Sequence, residues 1–338
     1  MSPDNLQTEA SVIQRIPFAL LAILAACGDR APDGTTAAAP AAPAPDYHLI
    51  EGTLFRSDGP NGNTYIYDAP DGLVVIDTGR HPEHAQLILD HARERGQPIA
   101  AIVNTHWHLD HTTGNLDLRA EFPEAAVYAT PASREARDGR LSLSRLRAQE
   151  RLDGGDLDDA TRARLERAST LIGGEALIPT VEVTGTMTLP VTGRDLELNT
   201  TDHAVSASDI WIWDAATRTV IAGDLVVVPA PLFDSACPAR WSEALAAIDQ
   251  KPFERLAPGH GPAMTKAEFG VYRDAFDRLV SCAAERTGEE CARGWLEDAA
   301  PLLRDERDRD YARDAVTAYV DVIIKDEELQ ATYCGTPG

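Results

Sequence analysis

Apolar positions recur along the chain with periods that change from segment to segment. Between Tyr47 and Ile76 they come as short runs separated by turn dipeptides: Tyr47 to Arg56, Asn61-Gly62, Thr64 to Tyr67, Asp71-Gly72, and Leu73 to Ile76. Runs of that length joined by Asn-Gly and Asp-Gly predict an antiparallel meander. From Pro82 to Arg95 the period becomes helical, and Gly96 and Pro98 provide the stop. The unbroken run Ile99 to Val103 predicts a buried strand, followed by a short helix from Leu116 to Phe122 and a strand at Ala126 to Tyr128. Residues 131 to 171 are rich in Arg, Glu, Asp, Leu and Ala and poor in β-branched residues. They predict two or three helices, joined near Gly154-Gly155 and inserted between two sets of strands. Strands resume at Val181 to Val183, Met187 to Leu189, Leu196 to Thr200, Ile210 to Trp213 and Val220 to Ala222. Helices dominate from Trp241 onward, interrupted by a strand near Leu256 and the loop Pro258-Gly259-His260-Gly261-Pro262.

The first 45 residues do not fit this pattern. Arg15 precedes an apolar run from Ile16 to Ala26 that ends in Leu24-Ala25-Ala26-Cys27 before Gly28. The run is too short to span a bilayer and suits the core of a signal peptide. Its end resembles a bacterial lipobox, which implies an exported, periplasmic protein held to a membrane by a lipid on Cys27. Residues 28–45 are mostly Ala, Pro, Gly, Thr and Asp and predict a disordered tether. The expected organisation is thus a signal peptide over 1–27, a tether over 28–45, a domain over 46–272 and a helical C-terminal extension over 273–338.

Composition narrows the class. A chain of 338 residues with 43% hydrophobic content can bury a substantial core. A net charge of -23 excludes the basic groove that a nucleic-acid partner requires. With Cys27 lipidated, Cys237, Cys282, Cys291 and Cys334 remain, and an even number in an oxidising compartment predicts disulfides. Of the three pairings, the favoured one joins Cys282 to Cys291 across a turn at Gly288 and Cys237 to Cys334, pinning the C-terminal tail.

The chemistry concentrates in His106-Trp107-His108-Leu109-Asp110-His111, directly after the Ile99–Val103 strand. Imidazoles two residues apart on an extended segment share a face, and Asp110 and His111 follow where Thr112, Thr113 and Gly114 let the chain turn. Clustering such groups is costly unless a cation or hydrogen bonds compensate them. The spacing therefore offers His106 and His108 to one metal ion, and Asp110 and His111 to a second.

The order of strands, helix, H-x-H-x-D-H, more strands, Gly223-Asp224 and then Pro258-Gly259-His260-Gly261 resembles the metallo-β-lactamase superfamily over roughly Tyr47 to Tyr272. The resemblance implies an α/β fold, a four-layer αββα sandwich, with a metal site at one edge between the two sheets. It places His106 and His108 on the first metal, Asp110, His111 and His260 on the second, and Asp224 as the bridging carboxylate. Asp77, in Asp77-Thr78-Gly79, is implied as a support for the site. The remaining first-site ligand departs from the family pattern, which puts a His four residues before the Asp or Ser opening the next strand. Here that position is Val205, and His203 stands six before Asp209. His203 is the expected ligand if the loop is longer by two; otherwise the first position has lost one.

The resemblance implies two Zn2+ ions, with a single ion, iron or manganese as alternatives. It implies hydrolysis of an ester, thioester, lactone or lactam in a small-molecule substrate by a metal-bound hydroxide, with Asp110 as the catalytic residue orienting the attacking water. A bridging Asp224 points to the glyoxalase II-like and lactonase branch rather than to true β-lactamases, whereas a periplasmic location suits a β-lactamase. A metal-binding protein with a degenerate site is the reading outside enzymes. The 131–171 insertion and the Pro229–Arg240 loop are expected to wall the pocket, with Phe233 and Trp241 either lining it or packing the core.

Overall fold

The computed structural model describes residues 46–54, 60–190, 193 and 195–335. The expected signal peptide with Cys27, the expected tether and the far end of the Tyr47–Arg56 segment lie outside the described residues. Two six-stranded sheets pack face to face. The first has the order β1(Tyr47–Ile50), β2(Thr64–Tyr67), β3(Leu73–Ile76), β4(Ile99–Val103), β5(Ala126–Ala129), β6(Val181–Glu182). The second runs β12(Met264–Thr265), β11(Arg255–His260), β10(Thr219–Val227), β9(Ser208–Asp214), β8(Leu196–Asp202), β7(Met187–Thr188).

Antiparallel pairs build the meander β1 to β3, while β3, β4, β5 and β6 pair in parallel. Parallel neighbours need a crossover, and each one here carries helices. Helix α1(Pro82–Arg95) joins β3 to β4, and α2(Leu109–Thr112) with α3(Asn115–Glu121) joins β4 to β5. The expected insertion, now α4(Ala132–Asp138), α5(Arg140–Asp153) and α6(Asp159–Gly173), is the crossover from β5 to β6.

Strand alternation sorts side chains into layers. Val74 and Ile76 face the other sheet, with Leu198, Ile212 and Ile221 opposite, while Leu73 and Val75 pack on Ile88 and Leu89 of α1. Beyond the second sheet lie α7(Pro238–Asp249), α8(Lys266–Glu285), α9(Gly288–Asp298) and α10(Glu306–Tyr319), whose buried residues share one core with Val220, Leu225 and Leu256. The result is the expected αββα sandwich. Phe233 and Trp241 are fully buried in that outer core, which settles their role as packing. Helix α8 runs straight through the expected domain boundary at 272/273, so the C-terminal helices continue the outer layer.

Both favoured disulfides are present. Cys282–Cys291 ties α8 to α9, and Cys237–Cys334 ties the start of α7 to the end of α11(Glu327–Tyr333). Gly288 is the first residue of α9 rather than a turn; Thr287 and Glu290 form a capping box there. The first strand stops at Ile50, because Asn63 replaces ladder pairing with side-chain bonds. Its Oδ1 accepts from the Gly52 N–H at 3.0 Å, and its Nδ2 donates to the carbonyls of Pro258 and Gly261.

Candidate metal centre

The segment between β4 and α2 delivers His106 and His108, the one-turn helix α2 delivers Asp110 and His111, β10 delivers Asp224 and the end of β11 delivers His260. Their donor atoms form two groups, His106 with His108 and Asp224, and Asp110 with His111 and His260, each with its ligand atoms within 4.8 Å of one another. Asp224 spans both. Its Oδ1 lies 3.2 Å from His111 Nε2 and 3.6 Å from His260 Nε2, and its Oδ2 lies 3.7 Å from His106 Nε2. His260 Nε2 is also 3.3 Å from Asp110 Oδ2. His106, His111, Asp224 and His260 are buried, whereas His108, Leu109 and Asp110 are half-buried and form the open side.

Asp224 is not at a strand end, as its Gly-Asp setting predicts, but inside β10. Gly223 adopts φ +58 and the register with β11 shifts on either side of it, a bulge that turns the carboxylate into the site. Gly259 makes this close approach feasible: a Cβ there would fall 1.8 Å from Asp224 Oδ1.

Hydrogen bonds behind the histidines fix which ring nitrogen faces inward. His111 Nδ1 lies 2.8 Å from Asp77 Oδ2, so it donates to the carboxylate and turns Nε2 toward Asp224 and His260 Nε2. The Thr105 hydroxyl donates to the same Asp77 oxygen at 2.7 Å and therefore accepts from His106 Nδ1 at 3.1 Å, leaving His106 Nε2 bare. On the open side the Ser235 hydroxyl donates to the Val205 carbonyl at 2.9 Å and accepts from His108 Nε2 at 2.9 Å, leaving Nδ1 bare. Among the described residues, the inward-facing His106 Nε2 and Asp224 Oδ1 have no hydrogen-bond partner, and His111 Nε2 and His260 Nε2 face each other at 3.3 Å. Buried, convergent and unpaired nitrogen and oxygen atoms are the donor set that a divalent cation satisfies, and the residues fit a metal.

Electrostatics points the same way. Burial, with His111 and His108 beside it, holds the His106 imidazole well below its usual pKa. Burial lowers His108 as well. At His111 burial also favours the neutral ring, yet Asp224, Asp77 and Asp110 outweigh it and raise the pKa well above its usual value. Burial alone would raise the Asp110 and Asp224 carboxyls, but His111 and His260 reverse this and keep both below the usual range. The carboxylates thus concentrate enough negative potential to favour positive charge even on the buried His111, and the same field favours a bound cation.

A sequence profile of the metallo-beta-lactamase superfamily matches residues 57–260. The chain belongs to the metallo-beta-lactamase superfamily. Among its relatives, a hydroxyacylglutathione hydrolase of Synechococcus sp. (strain JA-3-3Ab) is 40% identical over 72 residues, 21% of this chain and 29% of that protein. An atrochrysone carboxyl ACP thioesterase of Passalora fulva is 41% identical over 63 residues, 18% of this chain and 19% of that protein. The chain therefore spans less than a third of the length of these curated relatives. A sec-alkylsulfatase structure from Pseudomonas sp. superposes with a TM-score of 0.56 at 19% identity, covering 84% of this chain and 50% of that one, and shares its fold.

One expected superfamily ligand is not in the centre. His203 sits at φ +57, and its Nδ1 lies 2.8 Å from the Tyr333 carbonyl at the end of α11. A Cβ on Gly335 would come within 2.7 Å of His203 Nε2, so the ring is held against the C-terminal tail. Val205, at the superfamily's usual His position, is buried among apolar neighbours, with its N–H donating to Asp209 Oδ2 and its carbonyl accepting from Ser235. Asp77 supports His111 as the resemblance implies, and also accepts from the Thr105 N–H at 2.8 Å. His84 is fully buried: its Nε2 lies 2.8 Å from Thr64 Oγ1, and its Nδ1 accepts from the Asn61 N–H. Thr105 and Ser235 carry no motif, and only their place behind His106 and His108 reveals them. The odd residues of the motif have work as well. Trp107 and Leu109 pack with Ala132, Ala136, Leu141 and Leu171, so the helical insertion rests on the motif itself.

Proposed function

We propose that this protein is a metal-dependent hydrolase of ester or thioester bonds in small molecules, with lactones and lactams as the other acyl substrates of the same chemistry. The observation that carries this reading is the convergence of the His106, His108, His111 and His260 imidazoles on the Asp110 and Asp224 carboxylates, with His106 Nε2 and Asp224 Oδ1 buried and unpaired. Zinc suits a His/Asp set of this kind, with room for two ions around Asp224. When bound, the metal supplies a water acidified toward neutrality, and so a nucleophile without Ser or Cys chemistry. Among the chain's own residues, Asp110 stands on the open side with His260 beside one carboxylate oxygen, placed to orient that water. Ser235, the hydroxyl nearest the site's histidines, cannot act as a serine nucleophile with His108, because its proton goes to the Val205 carbonyl. Asp224 supports thioester or ester cleavage over lactam cleavage, as do the names of the two relatives, each a thioester hydrolase matched over a short stretch.

Export and a lipid anchor at Cys27 belong to the same reading. Their support is the sequence from Arg15 to Cys27 together with two disulfides, which persist in oxidising compartments. A panel of activated esters, thioesters, lactones and nitrocefin, run with zinc-loaded and metal-stripped protein, tests the function. Turnover of an acyl ester or thioester only in the loaded form is expected. Nitrocefin turnover exceeding that of every ester would instead favour the β-lactamase reading.

A further inference from the structure

The two halves of the centre are built unequally. The Asp110 half has its own carboxylate and two imidazoles, and Asp224 Oδ1 stands 3.2 Å and 3.6 Å from those rings. The His106 half has two imidazoles and one carboxylate, Asp224, which it shares with the other half and whose Oδ2 lies 3.7 Å from His106 Nε2. The histidine that could have completed it, His203, is bonded to the Tyr333 carbonyl at 2.8 Å. That tail is in turn fastened by the Cys237–Cys334 disulfide. Val205 offers no substitute donor, since its N–H and its carbonyl are both taken.

Each carboxylate facing a divalent ion contributes attraction that neutral imidazole lacks, and a low-dielectric site magnifies the difference. We propose that the centre fills in a fixed order: one metal ion binds tightly to Asp110, His111, His260 and Asp224, and the His106/His108 position takes a second ion weakly and exchangeably. This rests on the metal-dependent reading above and concerns the order and strength of binding.

The test is titration of the full, metal-stripped chain with Zn2+ against a chromophoric chelator, with bound metal counted by elemental analysis and Co2+ absorption as a second readout. Two steps are expected, the second weaker by more than about tenfold, the lower end of what losing even a supporting group costs in metal affinity. The substitution His260→Asn should abolish the tight step, His108→Asn should keep it and lose the weak one, and His203→Ala should leave both unchanged. Circular dichroism confirms that each variant is folded, and the wild-type titration stands by itself if one is not. Two steps of equal affinity, a tight step lost in His108→Asn but kept in His260→Asn, or loss of either step in His203→Ala would overturn the proposal. Hydrolysis that survives metal removal would instead strike the function proposed above and leave these affinities measurable.

Discussion

Asp77 receives three hydrogen bonds from groups that orient the centre: the Thr105 N–H at 2.8 Å, the Thr105 hydroxyl at 2.7 Å and His111 Nδ1 at 2.8 Å. All of these groups are buried. Replacing Asp77 by Ala strands the three donors, at about 1–3 kcal/mol each, and so costs on the order of 3–9 kcal/mol. Asp77 also holds φ +58, which Ala tolerates poorly and Asn accepts, so strain adds to the Ala variant alone. In Asp77→Asn the amide oxygen can take the place of Oδ2 and serve two donors, while the NH2 faces the third. That costs about 1–3 kcal/mol, the penalty for one unpaired buried group. Metal affinity should fall about 10–100-fold in the Asn variant, because His111 loses the anion behind it. Urea denaturation of the metal-stripped proteins and chelator competition measure the two effects separately. An Ala variant within about 1 kcal/mol of wild type, or an Asn variant with unchanged metal affinity, would refute this role for Asp77.

Other expectations follow from single contacts. Burial and nearby histidines lower the His84 pKa from 6.5 to about 4, so the unfolded chain binds the extra proton between those values and stability is lost as pH falls through that window. The loss amounts to about 3 kcal/mol once the pH is below both values. Burial raises the Asp209 carboxyl from 3.8 to about 7, so its contribution is lost in the opposite direction, as pH rises from about 4 to 7. The two oppose each other, and His84→Gln should therefore become more stable on acidification than wild type in denaturation series at pH 7 and pH 4; parallel profiles would refute the burial argument. Replacing Cys334 by Ser opens a closure between residues 97 apart and should cost about 4–5 kcal/mol on the chain-entropy estimate, read as a lower urea midpoint, whereas an unchanged midpoint would show that the bridge does not constrain the chain. Ser235→Ala removes the acceptor behind His108 and should weaken the second, weak metal step about 10–100-fold while sparing the tight one, as chelator competition would show.

Much of the frame was legible because its signals are local. The turn and cap residues around Thr64–Tyr67, Leu73–Ile76, Pro82–Arg95 and Ile99–Val103 bracket β2, β3, α1 and β4 at their observed bounds. The six-residue motif was legible for a similar reason, since the segment after one strand and one helical turn carry all of its ligand-type side chains. What escaped depends on distant partners. His203 is turned away by a carbonyl 130 residues later in the chain. The bulge at Gly223 becomes visible only beside β11, and His84 is buried by Thr64, which belongs to a strand whose sequence does not announce the contact. Ser235 lies 127 residues from His108 and carries no motif at all.

The most direct measurement compares hydrolysis of an activated thioester and an activated ester by the zinc-loaded full chain, by the chelator-stripped chain and by the stripped chain with zinc restored. Activity present in the first, absent in the second and regained in the third is the predicted result. Equal turnover with and without metal would contradict it.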